Sequence, residues 1–584
     1  MNKKKVVITK NTRKSIAEQN HQRIQDALKA KNTPKNFVVK KTNLVGVGAM
    51  TRHKKLPLTG NTKKPEKVDF ESQQRAINCV EIATPNWFRN DGPVDVSIIV
   101  PMFRSHEVIK DQIKSWQLND NISKEIIYVD DNCPFKSFQS VLDTWEKRLG
   151  DFETPIGKII KNNQNGGFAE ACNAGAKYAS GQYLVFLNAD CTVTENWLQP
   201  LLNAFNLGDV GIVGNIQLRP DGVVLSAGSE WFHGYFAHVG FEVYKRQKLV
   251  KPLTMENLPN DLKELREVEM TTGCCFAIEK KLFNAVGGFD TNYKIGYWED
   301  TDLNMKVQMR GKKVYVQPES IIYHKIGHSG AGGHGYLTRN RDRFYEKWVD
   351  TKAIEMFVNN KNSKIDQTKT VVYTSICGEY DDLSDKQIQD GTQFIAFMDN
   401  GVESKIWDIL PVHKEFKDAN RNAKIHKVLS HKYFPDKEYS LWIDGSVELL
   451  APSFKIIETF IKDYDIVVFK HPQRKCIYDE AAVCIERKLD FKDVIEKQIR
   501  RYQHENYPAK NGLVEATILL RRHNSRVAEF NEMWWREICK GSKRDQISFN
   551  YVASKMGVKI GYFHGSLRKT QNALFHKREH NRTR

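Results

Sequence analysis

Short apolar runs that stop abruptly at acids or asparagine govern what this chain can fold into. Residues 94–100 (VDVSIIV) end at Pro101, 125–129 (EIIYV) at Asp130 and Asp131, and 183–187 (YLVFL) at Asn188-Ala189-Asp190. Runs this short, rich in β-branched and aromatic residues, are buried strands rather than helices. A further short strand is expected at 156–161. Residues 107–118 and the alanine-rich stretch 167–179 carry helical spacing between them. Alternation of this kind folds as α/β, an open and mostly parallel sheet flanked by helices. Ligands of such sheets gather beyond the carboxyl ends of the strands. Asp130, Asp131 and Asp190 all fall there.

The pattern continues and then restarts. Further strands are expected at 210–217, 222–230, 268–279, 314–316 and 321–324, a helix from about residue 300, and a closing helix over 336–356. A polar link follows. Strands then resume at 370–376 (TVVYTSI), 393–398 (QFIAFM), 439–443 (YSLWI) and 465–469 (DIVVF), with a basic helix near 420–431. The expected plan is therefore an arm and linker (1–90), one α/β domain (91–358), a link (359–369), a second α/β domain (370–575) and a basic tail (576–584).

Apolar residues make up 40% of the 584 and charged residues 27%, which excludes a fibrous or wholly disordered chain. No apolar run reaches membrane-spanning length, and no apolar leader core follows the basic start. The ten cysteines show no Cys-x-x-Cys spacing, so a structural zinc site is not expected, and the chain reads as reduced and cytoplasmic. The net charge is +18, and residues 1–70 hold most of it, with 18 Lys and Arg against 4 Asp and Glu. Such an arm suits peripheral contact with the cytoplasmic face of an anionic membrane, a nucleic acid or a polyanionic glycan. The same residues read equally well as a solvated tail. A short helix is expected at 16–30.

Several residues carry chemistry. A carboxylate at Asp130 or Asp131 can hold a base or ribose edge, or simply cap a loop. Asp190 can bind Mg²⁺ or Mn²⁺ bridging diphosphate oxygens, and Asn188 adds only a neutral oxygen. Residues 297–302 (YWEDTD) put three acids, Glu299, Asp300 and Asp302, behind two aromatics. Acids also favour helix starts, but a walled carboxylate can deprotonate a hydroxyl. His324 and His328 lie in a glycine-rich segment. In the second half, Asp444 ends the strand 439–443 as Asp190 ends 183–187. Arg421, Lys424 and Lys427 recur every three residues, either as a solvated basic face or as a surface for nucleotide phosphates. His564 and Lys569 could cap a diphosphate. Asp545 and Gln546 precede a helix and could face donor or acceptor.

The stretches 96–103 (VSIIVPMF), 129–132 (VDDN), 162–190, 271–290 (TTGCCFAIEKKLFNAVGGFD), 297–320 and 323–330 (YHKIGHSG) together resemble family 2 glycosyltransferases. That resemblance implies the GT-A nucleotide-sugar fold and inversion at the anomeric centre. By position, it implies that Asp130 or Asp131 holds the base or ribose, and that Asn162, Asn165, Gly167 and Asn173 line the nucleotide pocket. It makes Asp190 the metal-binding acid, places His324 near diphosphate and metal, makes Asp300 the general base, and has Glu299 orient acceptor or base. Asn188 departs from the Asp of many members and is similar to the branch of rhamnosyl and related polysaccharide transferases.

The second half resembles an incompletely characterised glycosyltransferase-like family with plant and bacterial members, through YSLWIDGSVEL, VVFKHPQRKCIYDEA, GLVEATILLRRH and SKRDQISFNYV. It implies a second GT-A-like fold in which Asp444 and His564 flank a metal and diphosphate.

The leading expectation is a two-headed, metal-dependent transferase. It would move sugars from nucleotide-diphosphate donors to a glycan or lipid-linked acceptor in surface polysaccharide synthesis. A single active head beside an acceptor-binding module is the alternative. A nucleic-acid-binding or nucleic-acid-glycosylating protein is a third, disfavoured because only charge speaks for it.

Overall fold

Strand β2 (Val96–Met102) is the axis of the first half: every residue but Pro101 is buried, and it pairs in parallel on both sides. Its neighbours are β3 (Lys124–Asp130) and β5 (Tyr183–Leu187), and β4 (Gly157–Asn162) continues the parallel run beyond β3. In a computed structural model, these four strands form the core of a twelve-stranded sheet. The structure describes residues 79–81, 93–116, 122–148, 157–232, 235–240, 252–326, 334–358, 364–378, 381–399, 401–412, 414–567 and 572–579. The helix expected at 16–30, the basic arm 1–70 with its expected membrane contact, His328 and Lys569 lie outside the described residues.

On one face of the core, Ile99, Ile127 and Val129 pack against helix α2 (Phe168–Tyr178), which follows α1 (Val108–Ser115). The inner face of α2 is almost all alanine, so its backbone lies close to the sheet. A Cβ on Gly175 would come within 2.5 Å of Ile99 Cγ2. The opposite face buries Ile98, Val100, Ile126, Tyr128 and Trp116.

Past β5 the sheet reverses. Strand β11 (Cys275–Glu279) runs antiparallel between β5 and β7 (Val210–Leu218), and β7 pairs in parallel with β12 (Lys313–His324). The short β6 (Cys191–Val193) joins β12 antiparallel. Two sequence expectations change here. Strands 314–316 and 321–324 are one strand with a register shift between Gln317 and Ile321. The stretch 268–279 is two strands, β10 (Arg266–Val268) and β11, because residues between them turn to meet Asn304, whose amide brackets Thr271 N and O.

The closing helix is also broken. His334–Phe344 runs into a π-turn at Tyr345–Val349, then a left-handed Lys352 (φ 62°), then Glu355–Val358. The π-turn places Lys347 and Trp348 on buried Asp302. The Trp348 indole donates to Asp302 Oδ1 at 2.7 Å, and Lys347 Nζ lies 2.7 Å from the same oxygen.

The second sheet repeats the layout. Its order is β15 (Asp408–Pro411), β14 (Gln393–Met398), β13 (Thr370–Ile376), β16 (Tyr439–Ile443), β19 (Val514–Arg522), β18 (Ile466–Lys470), β20 (Ile560–Tyr562). The first four are parallel, and β19 runs antiparallel between β16 and β18, as β11 does between β5 and β7. The α/β class expected from the alternation is the fold that forms. One apolar cluster runs from Tyr293, Phe344 and Trp348 to Val372, Ile457 and Phe460, so both sheets belong to one compact unit, residues 67–584.

Candidate functional site

The carboxyl ends of β3, β4 and β5 build the first site. Asp131 follows β3 and is buried. Its carboxylate accepts from Asn162 Nδ2 (2.8 Å), Gly166 N (3.1 Å) and Gly167 N (2.7 Å). The three donors tie the loop after β4 to the end of β3. Burial pushes the Asp131 carboxyl up to about 6 against these bonds. Gly167 must be glycine: its φ is 85°, and an added Cβ would strike the backbone of Ile295 at 2.4 Å. Asn165 Oδ1 accepts from Gly167 N at 3.2 Å. Asp130 caps the next turn by accepting from Cys133 N at 2.8 Å, and burial raises its pKa.

Asn173 has a different place from the one expected of a pocket-lining residue. Its amide accepts from Phe289 N (2.9 Å) and donates to Phe289 O (2.9 Å), so both polar atoms are satisfied by backbone. It positions the loop that follows Gly287 and Gly288.

Strand register assembles the next part. Asn188 N donates to Cys274 O at 2.8 Å, and Cys191 pairs across from His324. Asp190 therefore meets His324, with Oδ1 3.3 Å from Nε2. Apart from this His324 contact of Oδ1, neither buried Asp190 oxygen nor the buried Asn188 Oδ1 receives a hydrogen bond among the described residues. Orphaned buried oxygens are rare and call for a missing partner. A carboxylate, an amide oxygen and an imidazole suit a divalent cation.

The third part is the start of helix α3 (Glu299–Met309). The chain enters it through left-handed Ile295 (φ 68°), Tyr297 (φ 78°) and Trp298 (φ 74°). Three such bulky residues in four positions cost about 1–3 kcal/mol each, and strain of this kind collects at functional sites. The Asn340 side chain holds the loop by donating to Lys294 O (3.0 Å), Gly296 O (2.8 Å) and Tyr297 O (3.3 Å). Sequence reading missed Asn340, since nothing local marks a residue on a later helix.

The three acids of this start diverge. Asp300 is half-buried. Its Oδ2 accepts from Gly273 N (2.8 Å) and its Oδ1 from Thr301 N (2.7 Å) and Thr301 Oγ1 (3.3 Å), which leaves further lone-pair capacity on Oδ2. Glu299 points inward with Oε2 unsatisfied. Burial, and then the charge of Asp300, raises its pKa well above the usual range. Asp302 is fully buried among Lys347, Trp348 and Tyr293 and belongs to the core.

In the second half, Asp444 ends β16. The Trp442 indole donates to its Oδ1 at 2.8 Å, and Lys427 Nζ approaches the same oxygen at 3.4 Å. The basic helix α4 (Ala419–Val428) neither faces solvent nor offers a free phosphate-binding row. Lys424 and Lys427 turn inward onto Asp545, at 3.0 and 2.9 Å, at the start of α5 (Asp545–Met556). Burial opposes ionisation of Asp545, but Lys424, Lys427 and Arg544 override it and hold the carboxyl well below its usual range. Arg421 is tied to Asp418 (3.5 Å) and Gly541 O (3.2 Å). The periodicity expected at a phosphate surface thus serves an internal ion cluster around Asp545. His564 is exposed, and partial desolvation followed by the charge of Lys352 lowers its pKa. Among the described residues, no hydrogen bond or ion pair joins it to Asp444.

Comparison with known proteins matches this division. Residues 97–287 fit the model of glycosyl transferase family 2, and residues 350–580 fit the TOD1/MUCI70 glycosyltransferase-like domain. Both matches are to glycosyltransferase-type domains, as the two resemblances implied. It is 27% identical over 226 residues to "Probable hexosyltransferase MUCI70" of Arabidopsis thaliana, covering 33% of this chain and 38% of that one. It is 25% identical over 241 residues to polypeptide N-acetylgalactosaminyltransferase 11 of Xenopus tropicalis, covering 40% and 38%. The solved structure of GalNAc-T7 with UDP, GalNAc and Mn²⁺ aligns with a TM-score of 0.34 at 20% identity, over 46% of this chain and 50% of that one. The chain thus spans about two fifths of the length of the curated relatives it matches.

Proposed function

We propose that this protein transfers sugar from a nucleotide-diphosphate donor to a hydroxyl of a glycan or lipid-linked glycan. The domain 91–358 is the inverting head, and the domain 370–575 is a second transferase head. The observation that carries the first part is the convergence of Asp131, Asp190, His324 and Asp300 around the ends of parallel strands, from four separated segments. The family matches supply the reaction class.

In this reading the loop Asn162–Gly167, tied to Asp131, receives the nucleotide. Asp190, His324 and Asn188 would hold Mg²⁺ or Mn²⁺, which supplies positive charge beside the diphosphate when bound. The acceptor hydroxyl attacks the anomeric carbon as the bond to the diphosphate breaks, and Asp300 takes the hydroxyl proton. The arm 1–70 would hold the enzyme at an anionic membrane on its cytoplasmic face.

Two experiments test this reading. Asp190→Ala is expected to abolish the response of nucleotide release to added Mn²⁺ or Mg²⁺, and a retained metal response would remove Asp190 from the site. In the same assay, Asp444→Ala is expected to remove one donor's turnover and leave the other intact. Loss of a single shared product in both variants would reduce the second domain to acceptor binding.

The second experiment follows pH. A raised carboxyl pKa means the folded chain holds the proton more readily than the unfolded chain. Asp131 therefore favours the fold below the usual carboxylate range and loses that contribution as pH rises through about 6. Its ionised form, present above that pH, accepts all three donors of the nucleotide loop. Donor affinity is expected to be flat above pH 6 and to fall by up to about tenfold per unit below it. Asp131→Asn should flatten the calorimetric profile, and an unchanged profile would clear Asp131 of the role.

A further inference from the structure

The ten cysteines carry no ligand spacing in sequence, yet the fold gathers two of them at the metal end of the first site. Cys191 Sγ, Cys274 Sγ and a His324 ring nitrogen all lie within 4.8 Å of one another. This grouping follows from register: β11 brings Cys274 against Asn188, and β12 sets His324 directly opposite Cys191. Both thiols are buried, at 0% and 6% exposure. A fourth donor is already aimed at the group. Asp190 Oδ1 lies 3.3 Å from His324 Nε2, and the buried Asp190 Oδ2 receives no hydrogen bond among the described residues.

The geometry points to a site for a thiophilic divalent cation, Zn²⁺ first, held by Cys191, Cys274 and His324 with Asp190 as fourth ligand. Two sulfurs, one imidazole nitrogen and one carboxylate oxygen form a tetrahedral donor set suited to zinc. Zinc bonds of about 2.0–2.3 Å need donors roughly 3.5 Å apart, and the three donors already lie within 4.8 Å of one another. Thr272 Oγ1, 3.5 Å from Cys274 Sγ, supplies an outer hydrogen bond to that sulfur. The proposal deepens the reading above, because it draws on the same Asp190 and His324. Hard Mg²⁺ or Mn²⁺ would use only their oxygen and nitrogen, whereas Zn²⁺ would claim them together with the thiolates. Zinc then competes with the cation that serves the diphosphate.

The test uses the full chain, stripped of metal by a chelator and titrated with Co²⁺ alone. Thiolate ligation is expected to give intense near-ultraviolet charge-transfer absorption, saturating at about one cobalt per chain. Cys274→Ser and Cys191→Ser should each lose most of that band, while Cys539→Ser, an exposed thiol elsewhere, keeps it. Zn²⁺ should bleach the band and excess Mg²⁺ should not. His324→Gln gives an independent arm: it keeps both sulfurs and should weaken affinity without removing the charge-transfer band. Cobalt bound without a charge-transfer band, or a band unchanged in both cysteine variants, overturns the proposal. The optical signal needs no sugar donor. Its loss would leave the transfer reading standing, and absent transfer would leave the cation site standing.

Discussion

Asp300→Asn is expected to lower sugar transfer by about 10²- to 10⁴-fold while leaving donor affinity near that of the parent protein. The substitution is nearly isosteric. An amide oxygen can still accept from Gly273 N, which Asp300 Oδ2 does at 2.8 Å, while the amide NH2 takes the place of the oxygen that accepts from Thr301 N. It cannot take a proton from an attacking hydroxyl. Gly273 makes the position demanding, since a Cβ there would come within 2.9 Å of Asp300 Cβ. Nucleotide release in a single turnover with acceptor present, alongside donor titration, separates chemistry from binding. Transfer at the parental rate would move the base elsewhere. Neighbouring Glu299 is the poorer choice, because its side chain is buried whereas Asp300 is half-buried.

The second large effect is on stability and comes from the acid two residues further on. Asp302→Ala is expected to destabilise the first domain by about 3–5 kcal/mol, the usual cost of removing one partner from a buried ion pair. Asp302 Oδ1 receives the Trp348 indole at 2.7 Å and the Tyr293 hydroxyl at 3.2 Å, with Lys347 Nζ 2.7 Å away. Without it, the buried Lys347 ammonium retains only Asp290 at 3.3 Å. Burial opposes the charge of Asp290 itself, and Lys347, Arg343 and Lys306 override that and hold its pKa well below the usual range. The network therefore depends on both acids together. Denaturant unfolding followed by tryptophan fluorescence reads the change, since Trp348 reports on the site itself. Unaltered unfolding with lost transfer would instead assign Asp302 to the reaction.

These two predictions show where sequence patterns stop. Glu299, Asp300 and Asp302 look alike in the chain, three acids at a helix start. Helical geometry turns them through about 100° per residue, so neighbours only one or two apart face different surroundings. One stays half-buried at the helix start, one turns into the core, and one anchors an ion network. The lysine repeat of α4 misleads in the same way. A three-residue spacing fixes a helix face, but whether that face meets solvent or Asp545 depends on a helix more than a hundred residues later.

The sequence by itself determined the strands and the acids at their ends. Apolar runs of fixed length have few other ways to be buried, and the turn after a parallel strand is where polar residues must go. The alternation, the restart near residue 370 and the positions of Asp131, Asp190 and Asp444 all follow from that local logic. Only the tertiary structure decided the antiparallel insertion of β11 and β19, the break of the closing helix, and the meeting of Cys191, Cys274 and His324. Those depend on strand order and register. Both are set by which faces pack together across long separations, a choice made by the summed burial of the whole core rather than by any one segment.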